Sequence, residues 1–585
     1  MRRRFLAAAA VVTGVFALSV LSACGVPDSG PAVSYGPERT ITGIDLRPPY
    51  KVAAPDNSQS ADQTVAGYLR AANGPLEKMR EQVKVFFTQS AQNTWQAGSG
   101  GLLVVRGTVH PPTQVAGAGQ FDAHVQVTGD VLGVLTNGWL DTSQARAGYS
   151  YTYNLLSAGA GKGWLIDNPP QGMLLSIEAL QNDYDQRPVY YPPNGEDRAL
   201  VADLRYVPRS VSVSAVGRYQ LLMSWLLAGP SSYIAGAVNS ALPAGTELRG
   251  LPVEDNALSQ ITVDLSAKAE ATDRWETLIA QIAVTLQAKY LEIRIEGRQK
   301  VKPHDQDAYY YDAWNPATGH MAHPLMVDGG LVRAVRIPDR VEEQVPALLR
   351  GRTNVKWATG LNATAAYVTT DDALFIGRAN SSDETRYVQV EKMRDVAFTS
   401  PPALYRTPGG PRVLIGAGPG LYSIDTSTQT PQAVTVSGVT GEGAVTSLSV
   451  APGGKRVAFV RGGRAYAGIF TDSAQIRAWQ VASQLTGITS VSWSSEVGFL
   501  VSGQGQPVSP NTSNSALSQV TFDGAVVEPQ YPSQTTRTGP VAAYVPSPRG
   551  GAVMEPLVEI DNRIYLVRHP GVPASAGTAP FYFED

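Results

Sequence analysis

Ser447-Leu448-Ser449-Val450-Ala451-Pro452-Gly453-Gly454-Lys455-Arg456-Val457-Ala458-Phe459 reads as a strand, a tight turn and a second strand. Leu448 and Val450 alternate with serines, Pro-Gly-Gly reverses the chain, and an apolar run follows. Forty-three positions on, Ser490-Val491-Ser492-Trp493 and Gly498-Phe499-Leu500-Val501 repeat the shape. Similar strand starts stand at Ala365-Ala366-Tyr367-Val368, Val396-Ala397-Phe398 and Ala542-Ala543-Tyr544-Val545-Pro546. A period in the forties is that of a four-stranded blade, so residues 320–585 are expected to form a β-propeller of five or six blades.

Upstream, residues 196–300 read as a small α+β domain. Leu222, Trp225 and Leu226 form a helix stripe ended by Gly229 and Pro230. Ile261, Val263 and Leu265 alternate with polar residues, as do Leu291, Ile293 and Ile295 before Gly297. Between them, Asp273 and Glu276 are placed as a capping box for an amphipathic helix carrying Trp275, Leu278, Ile279, Ile282 and Leu286. Residues 46–195 read as a second α+β domain. Two helical stripes, Val65-Tyr68-Leu69-Ala72 and Leu76-Met79-Val83-Phe86, precede strands at 102–105, 123–127, 131–135 and 149–156. Gly161-Lys162 is not a phosphate loop, because Leu156 and Gly163 stand where Gly and Ser or Thr are required. It reads as a turn before the core strand Trp164-Leu165-Ile166.

The first residues concern location. Arg2, Arg3 and Arg4 precede an apolar run from Phe5 to Leu21, the pattern of a signal peptide over 1–23. Leu21-Ser22-Ala23-Cys24 follows, and Cys24 is the only cysteine of the chain. This resembles a bacterial lipobox, which implies acylation of the Cys24 thiol (diacylglyceryl and palmitate) and cleavage before it. Residues 24–45 are rich in Gly, Pro and Ser and read as a flexible tether. The folded part is thus expected on the extracytoplasmic face of the cell membrane, held by the anchor on Cys24.

Composition agrees with a soluble body. The chain has 585 residues, 43% hydrophobic and 17% charged, with 57 glycines and 41 prolines; the low charge content suits turn-rich β structure. A net charge of -3 offers no basic excess for phosphates, so no nucleic-acid partner is expected. Six histidines and one cysteine argue against a disulfide framework or a thiolate metal site.

Leu226-Leu227-Ala228-Gly229-Pro230, Leu242-Pro243-Ala244-Gly245-Thr246, Val263-Asp264-Leu265-Ser266 and Gln281-Ile282-Ala283-Val284-Thr285-Leu286 occur in that order. Together they resemble the GerMN (sporulation and germination) domain. The Ala-Pro-Gly-Gly-Lys turn resembles the Ser-Pro-Asp-Gly-Lys turn of envelope propellers, and the N-terminal domain resembles nuclear-transport-factor-like folds. Adding the lipobox and Tyr68-Leu69-Arg70-Ala71-Ala72, the whole chain resembles the actinobacterial lipoprotein LpqB family. That resemblance implies a lipoprotein that contacts the extracellular domain of an MtrB-type sensor kinase of an MtrAB-type two-component system, with a role in envelope homeostasis and cell division.

Motifs of catalysis are missing: no G-x-S-x-G elbow, no H-E-x-x-H, no convincing Ser-x-x-Lys set. His320 and His323, with His304, Asp305 and Asp307 nearby, lie in a Pro- and Gly-broken stretch and read as loop residues. Asp203, Asp371 and Asp372 read as turn or surface residues, and Gly416 to Gly420 as a blade loop. Tyr309, Tyr310, Tyr311 and Trp314 stand near the domain junction, as packing or as interface anchors. Thus no catalytic residue, cofactor or metal is expected, and the chain reads as a binding protein. The alternative is an envelope glycan- or peptidoglycan-binding protein or hydrolase.

Overall fold

The computed structural model describes residues 50–584, apart from 75, 99, 115–121, 158–162, 196–198, 256, 257, 259, 304–321, 338–343, 380–384, 508–513, 531–537, 545–553 and 568–572. The expected signal peptide, Leu21, Ser22, Ala23, Cys24 and the expected tether lie outside the described residues, as do His304, Asp305, Asp307, Tyr309, Tyr310, Tyr311, Trp314 and His320.

In the N-terminal domain, α1 (Ala61–Arg70) and α2 (Leu76–Lys84) form where the periodicity predicts, and a further short helix, α3 (Gln89–Thr94), follows. Gln63 accepts from the Ser60 N–H at 2.9 Å, satisfying a donor at the start of α1. Strands β1 (Leu102–Val109), β2 (Asp122–Thr136), β3 (Arg146–Ser157), β4 (Trp164–Ile166) and β5 (Met173–Ser176) align in the order β4-β3-β2-β1-β5. The two strands read at 123–127 and 131–135 are one strand. A register shift between Gly129 and Val131 breaks the alternation, and a Cβ on Gly129 would lie 2.0 Å from the Arg106 carbonyl oxygen.

Helix α4 (Ile177–Asp183) leads into a hairpin of β6 (Tyr184–Tyr191) and β7 (Val201–Pro208). Every residue of β7 is buried, so the hairpin is covered on both faces. The middle domain carries α5 (Ala215–Ala228), β8 (Val253–Asp255), β9 (Gln260–Leu265), α6 (Trp275–Leu286), β10 (Tyr290–Ile295) and β11 (Arg298–Val301). Its sheet runs β8-β9-β10-β11, and β9 and β10 are parallel with α6 as the crossover. Asp273 and Glu276 do not make the expected capping box. Helix α6 starts at Trp275 with Arg274 as the N-cap, one residue too late for the Asp273 carboxylate to reach the first free N–H groups.

The C-terminal domain is a six-bladed propeller. Blade-opening strands Val355–Leu361, Ala403–Thr407, Val445–Val450, Ile488–Ser495, Val541–Ala542 and Thr578–Glu584 touch one another in a closed ring. The repeated serines have a structural use. Ser447 Oγ accepts from the Val491 N–H and Ser449 Oγ from the Trp493 N–H, each at 3.1 Å. Ser490 and Ser492 accept in the same way from Val541 and Ala543, at 3.2 and 2.9 Å. Each hydroxyl satisfies a backbone donor at the start of the next blade, and the Ser447 and Ser490 bonds are buried. The ring closes where Thr578–Glu584 pairs antiparallel with Ala322–Asp328. Two readings are corrected: Ala365 to Val368 belongs to a second strand, Thr364–Thr369, and Val396 to Phe398 lies outside the strands, with one bridge from Phe398 to Ala417. Among the described residues no helix is long and apolar enough to cross a membrane.

Candidate functional site: a buried seam joining three domains

The described residues belong to one compact unit, and its domains meet at a common seam. Hairpin β6–β7 runs through it. On one side, Tyr191 donates to the Leu226 carbonyl at the end of α5, at 3.2 Å. On the other, Tyr190 donates to the Glu496 carboxylate in blade 4. Tyr206 donates to the carboxylate of Asp523, whose oxygens both lie at 3.0 Å. The Tyr206 N–H also donates to the Gly138 carbonyl of the N-terminal domain at 2.6 Å. Gly138 has φ +75, and a Cβ there would lie 2.6 Å from the Trp225 ring. The Asn137-Gly138 turn is therefore both a hairpin reversal and the flat place on which Trp225 sits.

Aromatic rings continue the contact. Trp139 lies edge-on to Tyr233, with centroids 6.2 Å apart. Tyr233 meets Trp479 at 4.8 Å, and Trp479 meets Phe522 at 4.9 Å. Phe522 and Trp493 follow at 5.7 Å. This row crosses from the N-terminal domain, through the middle domain, into blades 3 and 4. Arg477 of blade 3 clamps it by donating to the Ser232 and Tyr233 carbonyls at 2.7 and 2.8 Å.

Charges are buried beside the rings. Arg205 and Asp203 form an ion pair at 2.9 Å with both side chains sealed. Asp203 also accepts from the Ser231 N–H and hydroxyl at 2.7 and 2.6 Å, and Arg205 donates to the Gly229 carbonyl at 3.0 Å. The reading of Asp203 as a surface residue is thus corrected: it locks the turn after α5 to the hairpin. Arg456, fully enclosed, donates to the Glu496 backbone carbonyl and stacks 5.1 Å from the Trp493 ring. Burial lowers its pKa to about 10, with Glu496 opposing that shift. Burial also raises the carboxyl pKa of Glu496 and of Asp523 above the ordinary values, despite the hydroxyls that donate to them.

The remaining sequence candidates lie apart from the seam. Asp371 and Asp372 are turn residues, Asp372 pairing with Lys356 at 2.9 Å. His323 stands 6.4 Å from the Phe583 ring, on the closing blade. Gly416 to Gly420 joins two strands of blade 2, as read. Among the described residues no group of three or more His, Cys, Asp or Glu is placed to hold a metal ion. Sequence reading missed Trp139, Tyr233, Trp479 and Phe522. Trp139 follows the Asn-Gly turn, the one local signal that its ring is presented at a hairpin tip.

Comparison with known proteins follows these domain limits. Residues 54–181 match the model described as "Lipoprotein LpqB, N-terminal domain", and residues 188–301 the model described as "Sporulation and spore germination". Lipoprotein LpqB of Mycobacterium ulcerans (strain Agy99) is 28% identical over 239 residues, 40% of this chain and 38% of that protein. Lipoprotein LpqB of Thermobifida fusca (strain YX) is 24% identical over 345 residues, 55% of this chain and 53% of that protein. The chain thus aligns with about two fifths to one half of the length of these curated relatives. Among solved structures, a virginiamycin B lyase from Staphylococcus aureus is 13% identical, covering 42% of this chain and 81% of that chain, with a TM-score of 0.28. The β-propeller domain of Cps50 (Swd1) from Myceliophteria thermophila is also 13% identical, covering 40% of this chain and 74% of that chain, with a TM-score of 0.25. At such scores these likenesses carry no argument, and the propeller rests on its closed ring of strands. With both domain models matched in this order and relatives of one description aligned to it, the chain is similar over these regions to the proteins described as lipoprotein LpqB.

Proposed function

We propose that the protein is a lipid-anchored envelope lipoprotein without chemistry of its own, which binds and modulates the extracellular part of a sensor histidine kinase of the MtrB type. The observation that carries the reading is the seam. Rings and buried charges of three domains are spent on holding one another, as in a scaffold that presents loops in fixed relation. The lipobox at Cys24 and the description of the relatives as lipoproteins support the membrane anchor. The kinase as partner comes from family resemblance. Binding of the chain from Tyr50 onward to the purified extracellular domain of the kinase tests it. Saturable binding, lost when exposed loops of one domain are replaced, is the expected result. No binding at high micromolar concentration by a folded, monodisperse protein would remove the kinase from the reading, and glycan fragments would then be titrated against the same sample.

A further inference from the structure

The sheet of the N-terminal domain buries one face and leaves the other open. On β2 and β3, Val125, Val127, Tyr153 and Leu155 are fully buried. The residues between them point the other way, as strand alternation requires. Register sets Gln126 beside Thr152, His124 beside Asn154, and Thr128 between Ser150 of β3 and Thr108 of β1. His110, just past β1, joins them. Its N–H donates to the Gln126 carbonyl at 2.9 Å, and its Nε2 lies 2.7 Å from the Thr128 hydroxyl. Thr108, Gln126, Ser150 and Thr152 are exposed, and the other four are half-buried. Eight adjoining polar side chains therefore share this face.

Not one of the eight is Asp, Glu, Lys or Arg, although a solvated surface usually intersperses both signs of charge. The same domain carries five charged residues on the nine-residue helix α2. At one end of the face Arg106 and Asp130 stand opposite each other in register, and at the other Leu156 is 38% exposed. Between these limits the side chains brace one another across the strands. His124 Nδ1 lies 2.7 Å from the Asn154 side-chain oxygen, and Gln126 donates to the Ser150 hydroxyl at 3.3 Å. Hydroxyl, amide and imidazole groups each offer more than one donor or acceptor site, so a group held by one bond still presents another. Side chains already held also lose less rotamer freedom when a partner arrives.

We propose that this open face binds a neutral, hydroxyl-rich glycan chain laid across β1, β2 and β3. Charge complementarity selects the partner. A nucleic acid or an anionic lipid surface is held by Lys and Arg, and these eight positions supply neither. A protein partner is anchored by aromatic residues, Arg or Met around an apolar centre. Here the rings are on the buried side, where Tyr153 packs 5.9 Å from Tyr68 and 4.8 Å from Tyr151. A second copy of the chain would need the same apolar centre. An uncharged polymer of hydroxyls and ring oxygens needs only donors and acceptors, which Thr, Ser, Asn, Gln and His provide. Contacts between uncharged groups are little screened, so salt leaves this binding largely unchanged. The proposal goes beyond the kinase reading and does not depend on it.

Saturation-transfer difference NMR on the full chain, held in a sugar-free detergent, tests the proposal with maltohexaose, cellohexaose and chitohexaose as probes. Dextran sulfate serves as the polyanionic comparison. The expected result is transfer to at least one neutral probe, equal at low and high salt, and none to dextran sulfate. Gln126→Glu combined with Thr152→Glu, at two exposed positions, sets charges in the face that a sugar does not neutralise. The double variant is expected to weaken binding several-fold, while Gln299→Glu, exposed on β11 of the middle domain, leaves it unchanged. Should the double variant fail to fold, Gln126→Ala with Thr152→Ala removes the same groups without charge, and the same loss is expected. No transfer to any of the three neutral probes overturns the proposal, as does binding that these variants leave intact or that salt abolishes. Sedimentation of the parent and the double variant covers the remaining case, since a dimer that the substitutions dissociate would assign the face to a second copy of the chain and overturn the proposal. Kinase binding measured on the same proteins is read separately, because either proposal fails without the other.

Discussion

Glu496 sits under the propeller edge with Tyr190 donating to one carboxylate oxygen while the other has no hydrogen-bond partner. Burial raises its pKa in the folded protein, so the native state binds a proton more readily than the unfolded chain does. Asp523 shifts in the same sense. For a carboxyl whose folded pKa lies above its unfolded value, the stabilisation from protonation is complete below the unfolded value and lost as pH rises through the folded one. Stability of the seam therefore falls from the ordinary carboxylate range upward, until both groups are ionised. Glu496→Gln keeps an acceptor for Tyr190 and removes the titration. It is expected to raise the unfolding midpoint at neutral pH and to flatten its pH dependence above the ordinary glutamate range. Thermal unfolding followed at several pH values for both proteins checks this, and parallel pH profiles would refute it.

The blade is the element on which the fold depends, and the closing blade is composite. Thr578–Glu584 comes from the chain end, while Ala322–Asp328 and Leu331–Ala334 come from the start of the domain. Phe583, almost fully buried, lies against Gly360 of blade 1, where a Cβ would stand 2.0 Å from its ring. No side chain but hydrogen fits there, so Gly360→Val forces the closing strand away from its neighbour. Overpacking of a tight core typically costs about 1–3 kcal/mol and occasionally more. The expected outcome is a protein with a lowered midpoint and faster amide exchange in 322–334 and 578–584 than in blades 2 and 3. Exchange that rises uniformly over the six blades would argue against a local opening.

At the scale of the whole molecule, the middle domain and blades 3 and 4 share a continuous buried cluster. It runs from Leu222, Ile261 and Ile282 to Ala458, Trp493, Phe499 and Phe522. Domains so joined have few ways of unfolding alone, in contrast to those linked by small polar interfaces. Calorimetry is expected to show one transition containing both. Phe522→Ala removes the ring between Trp479 and Trp493, and large aromatic truncations in cores cost about 3–5 kcal/mol. The variant is expected to split the transition. A single transition, merely shifted, would mean that the seam contributes less to coupling than the rest of the cluster.

Local regularities of the chain were enough to read several elements: the strand-turn-strand repeat, the helices of the N-terminal domain, and the strands on either side of α6. Periodicity is a local signal, and residues such as Leu278, Ile282 and Leu286 carry it within a few turns. The bulge at Gly129 and the missing cap at Asp273 escaped because both depend on one residue of register, which patterning does not resolve. The resemblance of Leu21-Ser22-Ala23-Cys24 to a lipobox is likewise a reading of local sequence. By contrast, Asp203 looked like a surface aspartate, and nothing near Trp139 or Phe522 in sequence announces that they line one seam. Their burial depends on partners far along the chain, as with Tyr206 and Asp523, which meet across more than three hundred residues. The sequence alone determined the kinds of domain and their order. Only the tertiary structure decided which side chains those domains bury against one another, since long-range packing is set by the sum of all contacts.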